Sequence, residues 1–147
     1  MQIRNSDKLT KAIKSLEEAI NYSRTLNYQE LDNSLKNIIQ AAVVQNFQLT
    51  FNICQKMLQY KISDLAGIDL DAQQLDLQTT KSLIEEAAKY KLINNKDNWN
   101  EYAECQYLTT SSNSNIRTFE KATNFLEDAK ELLKTCIKRI HNERRAA

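Results

Sequence analysis

One histidine, a few close-set carboxylates and one basic cluster hold most of the reactive chemistry this chain can offer. His141 lies in KRIHNERR, near the C-terminal end of the sequence. A partly cationic side chain there is favoured by a helix dipole, which is the plain reading, and a catalytic role is the sharper one. Lys138, Arg139, Arg144 and Arg145 crowd the same segment. If they point one way they make a salt-dependent phosphate contact; otherwise they are a basic helix end. Glu17 with Glu18, Glu85 with Glu86, and Glu127 with Asp128 and Glu131 could act as paired acids. Each set lies beside lysines at outward helical positions, so solvated surface charge is the better account. Trp99 and Tyr102, three residues apart, form an aromatic edge that suits a core or interface anchor better than a base-stacking platform.

The usual catalytic kits are missing: there is no P-loop, no G-x-G-x-x-G, no H-E-x-x-H and no paired C-x-x-C. A single histidine cannot supply a His-rich metal site, so neither a metal nor a cofactor is expected. Cys54, Cys105 and Cys136 are odd in number and match no zinc or redox spacing, which makes them reduced thiols. Cys54 and Cys136 fall on apolar helical faces, where packing outweighs reactivity. The N-terminal MQIRNSDKL has no hydrophobic run, so no secretory signal is read and a cytoplasmic location is expected. With 20 Lys+Arg against 19 Asp+Glu, no global field draws the chain to nucleic acid or to an anionic membrane.

These residues need a frame to position them. A chain of 147 residues fits one domain, 1–147, able to bury about 68–70% of its unfolded surface. Pro is absent and Gly occurs once, at Gly67, so β-hairpin turns are largely unavailable and the chain should be nearly all helix and helix-connecting loop. The expected fold is all-α, an up-and-down antiparallel bundle of four to five helices.

The segment from Asn37 to Gln55 carries no charge, Gly or Pro and marks the central helix. Ile38, Ala42, Leu49, Ile53 and Met57 form one stripe, and Ile39, Val43, Phe47, Phe51, Cys54 and Leu58 another. Two stripes predict a helix covered on two sides. Its many Gln and Asn residues exclude a membrane span. Asp32 or Asn33 can cap it, and the pattern reaches about Tyr60.

Before it, Ser6 or Asp7 can cap a helix with Leu9, Ile13, Leu16 and Ile20 inward, ending near Arg24. After it, Ser63 to Gln78 reads as a loop containing one short helical turn. Thr79 or Thr80 can cap a third helix with Leu83, Ile84, Ala87 and Ala88 inward, and Trp99 opens a short fourth reaching Leu108. Thr109 to Asn115 reads as a loop and helix start. Phe119, Ala122, Leu126, Ala129, Leu133, Cys136 and Ile140 then define a last helix packed lengthwise along the central one, as in an antiparallel bundle.

Two stretches resemble the nucleotidyltransferase substrate-binding family, a branch of the HEPN (higher eukaryotes and prokaryotes nucleotide-binding) helical bundles. In VVQNFQLTFNICQKML, Val43 to Leu58, the residues Gln45, Phe47, Thr50, Phe51, Lys56 and Leu58 agree with the family's central helix in type and spacing. In Ser82 to Asn113, Glu86, Ala87, Leu92, Ile93, Trp99, Leu108 and Thr109 agree with the helix, Leu-Ile turn and Trp-containing helix that follow. With the terminal helix, the resemblance spans about residues 9 to 140.

The resemblance implies a homodimer working with a small, separately encoded nucleotidyltransferase, often as a toxin–antitoxin pair whose active helical members are ribonucleases. The ribonuclease signature is Arg, four residues, then His, often with Tyr two positions on. Counted without gaps from Trp99, those positions are Gln106, Ser111 and Asn113. Metal-independent RNA cleavage needs a base for the 2′-hydroxyl proton, which imidazole supplies and Ser111 does not. It also needs a cation for the phosphate charge, and Gln106 offers only hydrogen bonds. Asn113 likewise removes the tyrosine that a partner could adenylylate. On the central helix Asn46, Gln48 and Asn52 stand where the family commonly carries Arg, Glu and Glu.

The expectation is therefore a non-catalytic, degenerate HEPN-type subunit that dimerises and binds a nucleotidyltransferase partner, presenting nucleotide or RNA from a groove around Gln106, Ser111, Asn113, Asn46, Gln48 and Asn52. The plain alternative for the first three is that they end one helix and cap the next. Two other functions stay open: a ribonuclease with a displaced site using His141 with Arg139, Arg144 or Arg145, and a free-standing helical adaptor.

Overall fold

The central helix begins where its cap was expected. Asp32 holds extended backbone, and its carboxylate accepts the Leu35 amide at 2.9 Å, satisfying one of the unpaired N–H groups of a helix start. The computed structural model describes residues 2–25, 30–69, 75–108 and 114–146, with side chains placed for 5–24, 30–69, 75–108 and 115–138. It is an all-helical bundle of five helices in chain order: α1 Gln2–Thr25, α2 Asn33–Ala66, α3 Leu77–Lys89, α4 Lys96–Tyr107 and α5 Ser114–Ala146.

Several boundaries differ from expectation for local reasons. Helix α1 starts at Gln2, so Ser6 and Asp7 lie inside it and cap nothing; Ser6 O instead accepts the Thr10 hydroxyl at 2.8 Å. Helix α2 continues past Tyr60 to Ala66 and stops at Gly67, whose φ of +68° is the left-handed turn that only glycine adopts cheaply. The amides of Gly67 and Ile68 both return to Ser63 O, at 2.9 and 3.2 Å. Helix α3 is capped by Asp76, not Thr79 or Thr80, with the Asp76 carboxylate accepting the Thr79 amide at 2.7 Å. Helix α4 begins at Lys96, one turn before Trp99.

Helices α1 and α2 run antiparallel, with the Thr50 hydroxyl 3.4 Å from Ala12 O and Ile20 close to Val43. Helix α5 opposes α1, through Lys130 to Glu17 and Arg24 to Thr123, and opposes α4, through Glu101 to Lys121 and Glu104 to Arg117. Helices α1, α2, α4 and α5 thus alternate in direction along the chain. Helix α5 does pack along α2 as expected, but in the same direction, since Phe47 meets Phe125 near the start of the contact and Cys54 approaches Cys136 further on.

One hydrophobic cluster draws on all five helices. At its centre Phe47, Phe51, Trp99, Tyr102 and Phe125 touch ring to ring, with centroids 4.5 to 6.3 Å apart. Trp99 and Tyr102 are therefore core anchors and offer no exposed aromatic edge. Phe125 and Leu132, absent from the expected inward set of the last helix, are fully buried. The three thiols are buried and form no disulfide, and burial, reinforced by Cys136, pushes the Cys54 thiol far above its ordinary range. That suits packing and not nucleophilic chemistry.

The two-sided central helix is only half present. The stripe through Phe47 and Phe51 is buried, but Ile38 is 64% exposed and Leu49 55%, with Ala42 exposed between them. Of that second stripe, Ile53 is half-buried and Met57 buried. Apolar residues at helical spacing say that a face wants cover; they do not say that the same chain provides it.

Candidate functional site

Gln106 closes the last turn of α4, and its Nε2 donates to Asn52 Oδ1 on α2 at 2.9 Å. Two of the residues singled out by their type thus meet in space. Gln106 is half-buried and Asn52 exposed, so the pair bridges α2 and α4 at the surface. The Gln106 Oε1 is shielded from solvent and has no hydrogen-bond partner among the described residues. A buried carbonyl oxygen left unpaired costs free energy that an incoming donor would recover.

The other candidates divide. Asn46, two turns before Asn52, turns back on its own helix and donates to Ala42 O at 2.8 Å, so its amide is spent locally. Gln48 is half-buried beside it. Ser111 and Asn113 lie outside the described residues, as do the side chains of Arg139, His141, Arg144 and Arg145.

Behind the amide pair lies a polar network that sequence reasoning missed. Gln55 is 2% exposed, and its Nε2 donates to Thr80 Oγ1 at 2.7 Å and to Tyr107 Oη at 2.8 Å. The Tyr107 hydroxyl in turn donates to Leu75 O at 3.0 Å, tying α2, α3, α4 and the residues just before α3 together. Gln55 Oε1 is a second buried acceptor without a partner among the described residues. The only signal in the sequence was a glutamine within an otherwise inward-facing run, which reads equally as a break in apolarity.

Glu104, Arg117 and Lys81, on the helices beside the pair, are engaged with one another. Glu104 Oε2 accepts from Arg117 and Oε1 from Lys81, each at 3.2 Å, and these bonds hold the Glu104 carboxyl below its usual range while raising Arg117. Tyr102 donates to Asp128 at 2.5 Å, and burial, with that hydrogen bond and the Asp128 charge, drives its hydroxyl above its ordinary range. Neither side chain of the Gln106 and Asn52 pair changes charge near neutral pH. The pair can recognise donors and acceptors; it cannot take a proton from a hydroxyl. Among the described residues no group of three or more His, Cys, Asp or Glu side chains could hold a metal, and no helix is long and apolar enough to cross a membrane.

The family model for nucleotidyltransferase substrate binding protein-like chains matches residues 4–138, nearly the whole sequence, and the chain belongs to that family. No curated protein and no solved structure matches it significantly.

Proposed function

We propose that this chain is a non-catalytic binding subunit that dimerises and associates with a separately encoded nucleotidyltransferase, holding nucleotide or RNA for it in a toxin–antitoxin-like arrangement. Family membership supports association with a nucleotidyltransferase. The observation that carries the non-catalytic reading is the Gln106 to Asn52 hydrogen bond. At the place where the resembled signature has a phosphate-stabilising cation, a neutral amide is engaged with a second neutral amide. The exposed amide of Asn52 suits a base or ribose edge, where hydrogen bonds and not charge decide recognition.

Co-purification of the full chain from its native cell tests the partner, with mass-spectrometric identification of what is retained. A retained nucleotidyltransferase is the expected result. Metal-independent RNA cleavage by the purified wild type, abolished by His141→Ala, overturns the reading in favour of a displaced catalytic site.

A further inference from the structure

Leu35, Ile38, Ala42, Gln45, Leu49 and Asn52 follow one another along α2 at alternating steps of three and four, and every one of them is exposed. That is the spacing of a coiled-coil seam. Neither charge nor proline protects this stretch, because Asn37 to Gln55 contains neither. Leu35 is 45% exposed, and with Ile38 and Leu49 it forms the largest exposed aliphatic row on one described element. None of the described residues covers it.

We propose that this seam is the contact face for a second copy of the chain, docked antiparallel about a two-fold axis passing between Ala42 and Gln45. The inference rests on the dimeric reading given above and assigns it a surface and an orientation. The composition of the seam supports it, because a two-fold contact must be complementary to itself read backwards. Reversal about that axis places Ile38 against Leu49 of the second copy, Ala42 against Gln45, and Leu35 against Asn52. Large aliphatic side chains then meet in two equivalent layers, and the small Ala42 leaves room for the longer Gln45. Charge favours the same orientation: Asp32, next to Leu31 at the start of the seam, and Lys56, one step past Asn52, are both exposed. Reversal about that axis brings Lys56 opposite Leu31 and so close to Asp32, whereas a parallel copy stacks Lys56 on Lys56.

This arrangement also reaches the candidate site. Asn52 is both the last uncharged member of the seam and the acceptor for Gln106. Leu35 of the second copy would lie over that pair, so each groove is walled on one side by the other subunit. Two sites result, one at each end of the shared seam.

The test uses the full chain. Sedimentation at micromolar concentration is expected to give about twice 17.0 kDa for the wild type. Ile38→Glu and Leu49→Glu are each expected to weaken self-association more than about tenfold by placing an unpaired carboxylate in the apolar layer. Both positions are exposed, so helical circular dichroism and melting temperature should be retained, and Lys134→Glu on the far helix should leave the dimer intact. For orientation, Ile38→Cys and Leu49→Cys proteins are mixed and oxidised. The native cysteines are buried, so cross-links report the seam. A disulfide is expected in the mixture and not in either protein alone, because like positions lie about 16 Å apart along the axis. A wild-type monomer overturns both the seam and the dimeric reading. A dimer indifferent to both Glu variants overturns the seam alone, and self-linking of the single Cys proteins overturns the antiparallel docking. If the Glu variants abolish nucleotidyltransferase capture while dimerisation persists, the face belongs to the nucleotidyltransferase and the proposal fails.

Discussion

Gln106 and Asn52 are 54 positions apart in sequence and 2.9 Å apart in space, joined by one amide-to-amide hydrogen bond. The contact fixes the last turn of α4 against the middle of α2 and joins two of the candidate site residues in one surface. Gln106→Ala is expected to cost about 0.5–1.5 kcal/mol of stability, as a single partly exposed hydrogen bond does. Its larger effect should be on recognition. Titration with mono- and oligonucleotides should show weaker binding in the variant, and equal binding would move the groove elsewhere.

Phe47 sits at the centre of the aromatic cluster, stacked on Phe51 at 6.1 Å and tilted against Phe125 at 4.5 Å. Phe47→Ala should lower unfolding free energy by about 3–5 kcal/mol in urea denaturation, with Phe125→Ala similar. A loss below about 1 kcal/mol would mean that the rings are not packed as described.

Tyr107 tests the hidden network. Removing its hydroxyl in Tyr107→Phe takes the donor from Leu75 O and the acceptor from Gln55, leaving buried polar atoms unpaired. A cost of about 1–3 kcal/mol is expected, measured by thermal or chemical unfolding. Amide exchange should quicken around the first turn of α3, where Thr80 shares the same glutamine.

Much of this fold was legible because local rules decided it. The Asp32 cap, the α1 stripe from Leu9 to Ile20 and the burial of Phe47 and Phe51 follow from helical periodicity and one capping side chain. Where two local signals competed, sequence reading chose the wrong one. Ser63 to Ala66 looked like loop beside Gly67, yet glycine acts just beyond the end of a helix and so permits the preceding turn. Thr79 and Thr80 looked like caps, but Asp76 stood three residues earlier, and Thr80 is instead buried against Gln55. The exposed face of α2 was misjudged for a different reason. Periodicity measures the amount of apolar surface, not the identity of what covers it. The candidate site was half legible: the resemblance singled out Gln106 and Asn52, while their contact depends on how α4 crosses α2, which no local pattern encodes.

Glu104 links stability to pH. Its folded pKa lies below the ordinary value of 4.5 because Arg117 and Lys81 hydrogen-bond its charged form. A carboxylate depressed in this way stabilises the fold fully above its unfolded pKa, and the contribution disappears as pH falls through the folded value. Wild type should therefore exceed Glu104→Gln in melting temperature at neutral pH. The gap should close on acidification below about 4.5. Its size is limited to about 1 kcal/mol because both cations are substantially exposed. A gap unchanged down to strongly acid pH would show that packing and not charge accounts for it.

The decisive functional prediction concerns what the amide pair has replaced. Wild type should show no metal-independent RNA cleavage, because proton abstraction needs a base near neutral pH and Gln106 and Asn52 supply none. Introducing Gln106→Arg and Ser111→His together restores the two side-chain types that the signature requires. The new guanidinium at position 106 can keep Asn52 Oδ1 as an acceptor, so the helix contact need not be lost. Gain of RNA cleavage or of growth inhibition in the double variant, with neither single change sufficient, would place the lost activity in this groove. Continued inactivity with intact nucleotide binding would mean that the surrounding surface has also drifted, leaving a recognition site whose remaining function is exercised through its partner.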